Sequence, residues 1–348
     1  MGDPVSPHRG MISNRSAATA LSRRAILAGM LAPLAGGILP AHHAPAQSAP
    51  RRFVYDDLNR YIAAVRAING GAAPAAVLQA YLDGASDGLK TWLTIYPATA
   101  DELASELGLD PAYHASLASS PRRIAALEPE ISRAYARLEA IVPGADLGDV
   151  YFLVGKGSAG GTARPQGTFV AVEMFGRTDQ TLSPETGTRP ASYGLNELVQ
   201  VVVHEGVHNL QRHVQGEPNF ISIYVNPERM TLLNFAVREG VADYVTHHLT
   251  GRWFEPRHAF AEPREAEIWA EFRPIMTETI MARPGWFTGR FADGRGWPIQ
   301  VGYFVGFKMA EHIHRNAADG SAALFELMSP HTDAQFRAVA DRYAQKFA

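Results

Sequence analysis

Two histidines four residues apart, His204 and His208, with Glu205 directly after the first, are the residues of this 348-residue chain best suited to chemistry. Imidazoles offer nitrogen ligands to a divalent ion, and a carboxylate beside them offers a base. Whether both can serve one ion depends on the backbone. On a strand they would stand ~13 Å apart, whereas on a helix residues four apart share a face and lie ~6 Å from each other. The preceding run Leu195-Asn196-Glu197-Leu198-Val199-Gln200-Val201-Val202-Val203 is rich in valine and could pass locally for a strand. A shared ion therefore requires a helix here, capped by Asn196 or Ser192 and stopped near Gly216. On that helix Glu205 projects about 100° around the axis from His204, so it can reach a water while the histidines hold the metal.

A His-Glu-x-x-His pattern arises by chance in about 3% of chains of this composition, so a second element has to support it. Glu239-Gly240-Val241-Ala242-Asp243 supplies one. Leu232, Ala236, Glu239 and Asp243 follow helical spacing, which places two carboxylates on an otherwise apolar stripe. Buried carboxylates are costly unless a cation or hydrogen bonds neutralise them. The chain has no cysteine, so disulfides are excluded and a metal site must use histidine and carboxylate.

Together these segments resemble the gluzincin metallopeptidases, whose zinc is held by the two histidines of an HExxH helix and a glutamate on a following helix. The resemblance implies His204, His208 and Glu239 as ligands of one zinc ion, Glu205 as general base, and Asp243 as the partner that orients His204. Metzincins fit worse, because their third histidine and preceding glycine would fall at Val214 and Gln211. From about Tyr151 to Arg315 the chain also resembles a bacterial family of predicted zinc-dependent proteases of unknown function, through its strand, Gly-rich loop and strand, its HExxH and EGxA elements and the late Gly302-Tyr303-Phe304-Val305-Gly306. Three protein ligands leave a fourth position for water, whose pKa zinc lowers to about 7. A peptide bond is the natural substrate. Tyr303, between glycines that permit close helix approach, is the candidate oxyanion donor. An extended substrate could pair with a sheet edge formed by Thr168 to Glu173.

Other motifs carry less. Gly155-Lys156-Gly157-Ser158-Ala159-Gly160 matches GxGxxG, but that fingerprint must open a helix, and Pro165 and Gly167 follow instead. It reads as a strand connection. His247, four after Asp243, could lie near the site, while His213, His248, His312 and His314 read as surface or core residues.

The elements that must position these groups read as follows. Phe53 to Val142 has helical periodicity, with Leu58, Tyr61, Ile62 and Val65 on one face, a capping box at Thr99 and Glu102, and Ser120 capping ahead of Pro121. Tyr151–Val154 and Thr168–Val172 read as strands. Helices are expected over Asn196–Val214, Thr231–Leu249, Glu262–Met281, Val301–Arg315 and Ala334–Phe347. The expected fold is α+β and predominantly helical: a zincin-like domain over 146–348 with a small antiparallel sheet packed on the HExxH helix, and a helical N-terminal lobe over 47–145 that walls a cleft.

Residues 1–46 read as an export signal: Arg23-Arg24 opens an apolar run ending near Leu39, followed by Ala44-Pro45-Ala46, in the manner of twin-arginine signals. The run is too short and too interrupted by Gly29, Pro33, Gly36 and Gly37 for a stable membrane anchor, and Met11 could be the start. A periplasmic or secreted protein follows. A net charge of −3 gives no reason to expect nucleic acid as a partner. Hydrolysis of another amide or ester, or a catalytically silent exported zinc-binding protein, are the competing readings. Retention of Glu205 argues against silence, because a structural site needs no base.

Overall fold

The computed structural model describes residues 51–176, 194–288, 291 and 294–348. The export segment and the Ser192 cap lie outside the described residues. Within them the chain is predominantly helical around one four-stranded sheet. No described helix is long and apolar enough to cross a membrane.

The N-terminal helices are α1 (Asp56–Asn69), α2 (Pro74–Asp83), α3 (Asp87–Ile95), α4 (Ala100–Leu109), α5 (Pro111–Ser116), α6 (Ser120–Ala125) and α7 (Glu128–Ile141). Thr99 and Glu102 form the expected reciprocal capping box at the start of α4. Ser120 is not a cap: it is the first residue of α6, and Ser119 precedes it without a side-chain cap bond. These helices share one continuous core with the rest of the chain, running from Leu58 to Tyr343.

The sheet has the order β1-β2-β4-β3, from β1 (Phe53–Val54), β2 (Asp149–Leu153), β3 (Gly161–Arg164) and β4 (Gly167–Ala171). It is mixed, not antiparallel: β1 and β2 are parallel, β2 and β4 are parallel, and only β3 runs against β4. The reason is local. The chain forms a strand inside the segment expected to be a connection, turns tightly after Arg164, and so brings β4 back alongside β2 in the same direction. Phe53–Val54 pairs with β2 instead of continuing the helical pattern, held by Arg52, whose backbone N–H and side chain donate to the Asp149 carboxylate.

Against this sheet lies α8 (Leu198–Gln215), the helix of the histidine pair. Its valine-rich start is helical because it is buried on every side, by β3 and β4, by α7 and by α10 (Leu232–Thr250). The Tyr135 hydroxyl ties three of these elements, bonding Val202 O at 3.0 Å and Thr168 Oγ1 at 2.9 Å. Asn196 does not cap α8. A short 3₁₀ turn precedes it, in which the Glu197 carboxylate accepts from Gly194 N at 2.5 Å.

The remaining helices are α9 (Glu217–Val225), α11 (Glu255–Ala261), α12 (Glu265–Phe272), α13 (Val301–Arg315), α14 (Gly320–Met328) and α15 (Asp333–Ala344). The long helix expected from Glu262 to Met281 is broken into two 3₁₀ turns around α12, at Pro263 and Pro274. Helices α10 and α13 cross backbone to backbone: a Cβ on Gly306 would lie 1.7 Å from Ala236 O, and one on Gly240 would lie 2.2 Å from the Gly306 carbonyl carbon.

Candidate metal centre

Helix α8 presents His204 and His208 on one face, and α10 presents Glu239 and Asp243 toward them. His204 Nε2 and His208 Nε2 are 3.1 Å apart, and Glu239 Oε2 stands 3.3 Å from the first and 3.1 Å from the second. All three residues are buried. A tetrahedral ion with bonds of about 2.0–2.1 Å sets its ligand atoms ~3.3 Å from one another, so this triangle has the dimensions of three corners of such a site.

The hydrogen bonds behind the ligands point the same way. His204 Nδ1 donates to Asp243 Oδ1 at 2.8 Å, and His208 Nδ1 to Gln211 Oε1 at 2.8 Å. Each imidazole thereby keeps its Nε2 lone pair for the shared centre. Three lone-pair atoms at such spacing repel unless a cation lies among them. Burial opposes a charged His204, yet its bonds to Asp243 and Glu239 raise it to about 10, so without a metal the centre holds a proton instead. Asp243 also accepts from Arg257 Nη2 at 2.7 Å, which cancels its charge and leaves Glu239 and Glu205 to balance a divalent ion. The buried His204-His208-Glu239 group could thus hold a metal ion.

Glu239 uses one oxygen for the histidines and accepts from the Tyr224 hydroxyl on the other, at 2.9 Å. Glu205 lines the cavity that opens onto the centre, its carboxyl raised by burial against the pull of the two histidines. Gly161 of β3 makes room for it: a Cβ there would lie 3.0 Å from Glu205 Cγ and from Val201 Cγ1. Tyr303, on α13, lines the same cavity and stacks on His204 with ring centroids 6.2 Å apart, while Arg257 covers it at 4.8 Å. Burial, with Glu239 and Asp243 nearby, keeps its phenol protonated. Of the two flanking glycines, Gly306 permits the helix crossing and Gly302 packs on Phe287.

The cavity holds about 480 Å³ and is walled by both parts of the chain, with Ile95 and Tyr96 from the N-terminal helices and Phe220, Phe235, Ile280 and Phe287 from the later ones. The edge expected over Thr168 to Glu173 is not free, because β4 is paired on both sides. The edge strand that lines the cavity is β3. Gly160 O accepts from Ala171 N, so in the alternating antiparallel ladder Gly161 and Ala163 turn their N–H and C=O groups outward, and Arg212 takes Ala163 O at 3.1 Å.

The GxGxxG match binds an internal carboxyl group. Gly155 N and Gly157 N donate to Glu173 Oε1 at 2.9 and 3.2 Å, occupying the N–H groups a phosphate would use. His247 is outside the site: it stacks on Trp253 at 4.6 Å and does not line the cavity. Sequence reasoning missed Tyr224, Arg257 and Gln211. Only Gln211, one helical turn after His208, carried a signal in its spacing. No protein-family model, curated protein or solved structure matches this chain.

Proposed function

We propose that the protein is a zinc-dependent metallopeptidase of gluzincin type that acts on peptides after export. The observation that carries this reading is the buried triangle of His204, His208 and Glu239 with Glu205 beside it on a cavity wall. A purely structural ion is enclosed by its ligands, whereas here a cavity large enough for side chains reaches them. Export rests on the Arg23-Arg24 signal pattern alone.

A divalent ion bound by these residues would make water acidic near neutral pH and polarise a carbonyl. The residues of the chain supply the rest. Glu205 accepts the proton of the attacking water and delivers it to the leaving amine, a role its burial favours by raising its pKa. Asp243, itself fixed by Arg257, orients His204, and Gln211 orients His208. Tyr303 keeps its proton and donates to the developing oxyanion. An extended peptide adds to the free edge of β3, using the outward groups of Gly161 and the N–H of Ala163.

The test is Glu205→Gln. The variant should bind zinc as the parent does and lose hydrolysis of a quenched peptide library; unchanged turnover would remove Glu205 from the mechanism.

A further inference from the structure

Beyond Gly161, the free edge of β3 carries a cation whose side chain has no direct partner among the described residues. Arg164 lines the cavity, half-buried, three residues and so ~10 Å along the strand from the glycine that touches Glu205. Thr162 and Arg164 alternate to the opposite face from Gly161 and Ala163, toward Tyr96, whose hydroxyl feels the Arg164 charge. Its backbone pairs with Gly167, but among the described residues the Arg164 guanidinium has neither a hydrogen bond nor an ion pair within 4 Å.

Its neighbour Arg212 is the contrast. That guanidinium meets Glu217 at 2.5 Å, Asn209 at 2.8 Å and Ala163 O at 3.1 Å. The two cations repel, and Glu217 is committed to Arg212. Glu205, the other carboxylate whose charge Arg164 feels, makes no direct contact with it, so this guanidinium stands without a counter-ion in contact, partly withdrawn from water, on the strand edge where an extended chain would pair. A residue paired opposite a strand position places its Cβ about 5 Å away, within reach of a guanidinium fork for a carboxylate.

We infer that Arg164 receives a carboxylate of the substrate, so the protein selects peptides bearing an acidic group near the scissile bond. The inference rests on the peptidase reading. The carboxylate can belong to an Asp or Glu side chain or to a free C-terminus; both present the same chemistry.

The experiment uses two matched pairs of quenched peptides, one differing as Glu against Gln within three residues of the cleaved bond, the other as free carboxylate against C-terminal amide. The parent, loaded with zinc, should cleave the acidic member of one pair about 10- to 100-fold faster in kcat/KM. Arg164→Ala should bring the members of that pair to within about twofold while retaining the metal, and Arg164→Lys should restore part of the preference. The pair that responds assigns the source of the carboxylate. Equal rates for both pairs in the parent, or a preference that survives Arg164→Ala, overturns the inference. Dissociation constants of the four peptides for the Glu205→Gln protein give a second readout without turnover. If the parent cleaves none of them, the peptidase reading fails, and these constants still decide whether Arg164 binds a carboxylate: a selective Kd lost in an added Arg164→Ala change supports it, and no difference overturns it.

Discussion

Replacing Glu173 with glutamine should change the stability of the protein in a pH-dependent way whose size follows from the structure. The carboxyl is buried beneath the Gly-rich loop, with Oε1 accepting from Gly155 N and Gly157 N and Oε2 without a partner among the described residues. Burial raises its pKa from 4.5 to about 7 despite those two donors. The folded state thus holds the proton where the unfolded state releases it. The resulting cost to stability is absent below pH 4.5, grows as pH rises through the interval and is complete above 7. At about 1.4 kcal/mol per unit, the full cost is about 3 kcal/mol. Glu173→Gln cannot titrate. Any fixed penalty of its amide is the same at every pH and cancels when the difference between variant and parent is compared at two pH values. Urea unfolding at pH 4.5 and pH 8, with a chelator in all samples, should show the variant gaining about 3 kcal/mol on the parent between the two. A difference that is the same at both pH values would refute the assignment of a protonated, buried carboxyl under the loop.

Asp243→Ala should weaken zinc binding about 10- to 100-fold, as removal of a ligand's partner does, and it takes away the carboxylate that Arg257 pairs with; competition with a chromophoric chelator measures it, and unchanged affinity would separate Asp243 from His204. Tyr303→Phe should lower kcat with metal content intact, and an unaltered kcat would return Tyr303 to a packing role. Gly306→Ala should cost about 1–3 kcal/mol or more in urea unfolding, because α13 must move away from Ala236 O on α10; a parent-like midpoint would contradict so close a crossing.

The parts of this structure that were legible in the sequence are those set by short-range periodicity. Helices α8, α10 and α13 follow from their apolar spacing, and for α8 the demand that His204 and His208 meet overrode the strand preference of its valines. The carboxylate pair of α10 was visible as charge on an apolar stripe. What stayed hidden depends on contacts between distant segments. Strand β1 is two residues held by pairing with Val150 and Tyr151, and β3 sits in a Gly-containing stretch whose strand character comes from β4 alone. The direction of β4 follows from that hairpin, so an antiparallel sheet was the wrong expectation and Thr168–Glu173 the wrong edge. Arg257 and Tyr224 reach Asp243 and Glu239 from other helices, and nothing local to either residue marks it. Glu173 was overlooked because the GxGxxG match invited the question of an external phosphate, while the carboxyl group it binds belongs to the chain.

The measurement closest to the central claim is the metal content of the purified protein, by mass spectrometry, for the parent and for Glu239→Ala. The account predicts about one zinc ion per chain in the parent and loss of that ion in the variant, because Glu239 supplies the third corner of the ligand triangle. A parent that takes up no metal after zinc is added, or a variant that keeps it as tightly as the parent, would contradict the His204-His208-Glu239 site and the hydrolytic chemistry built on it.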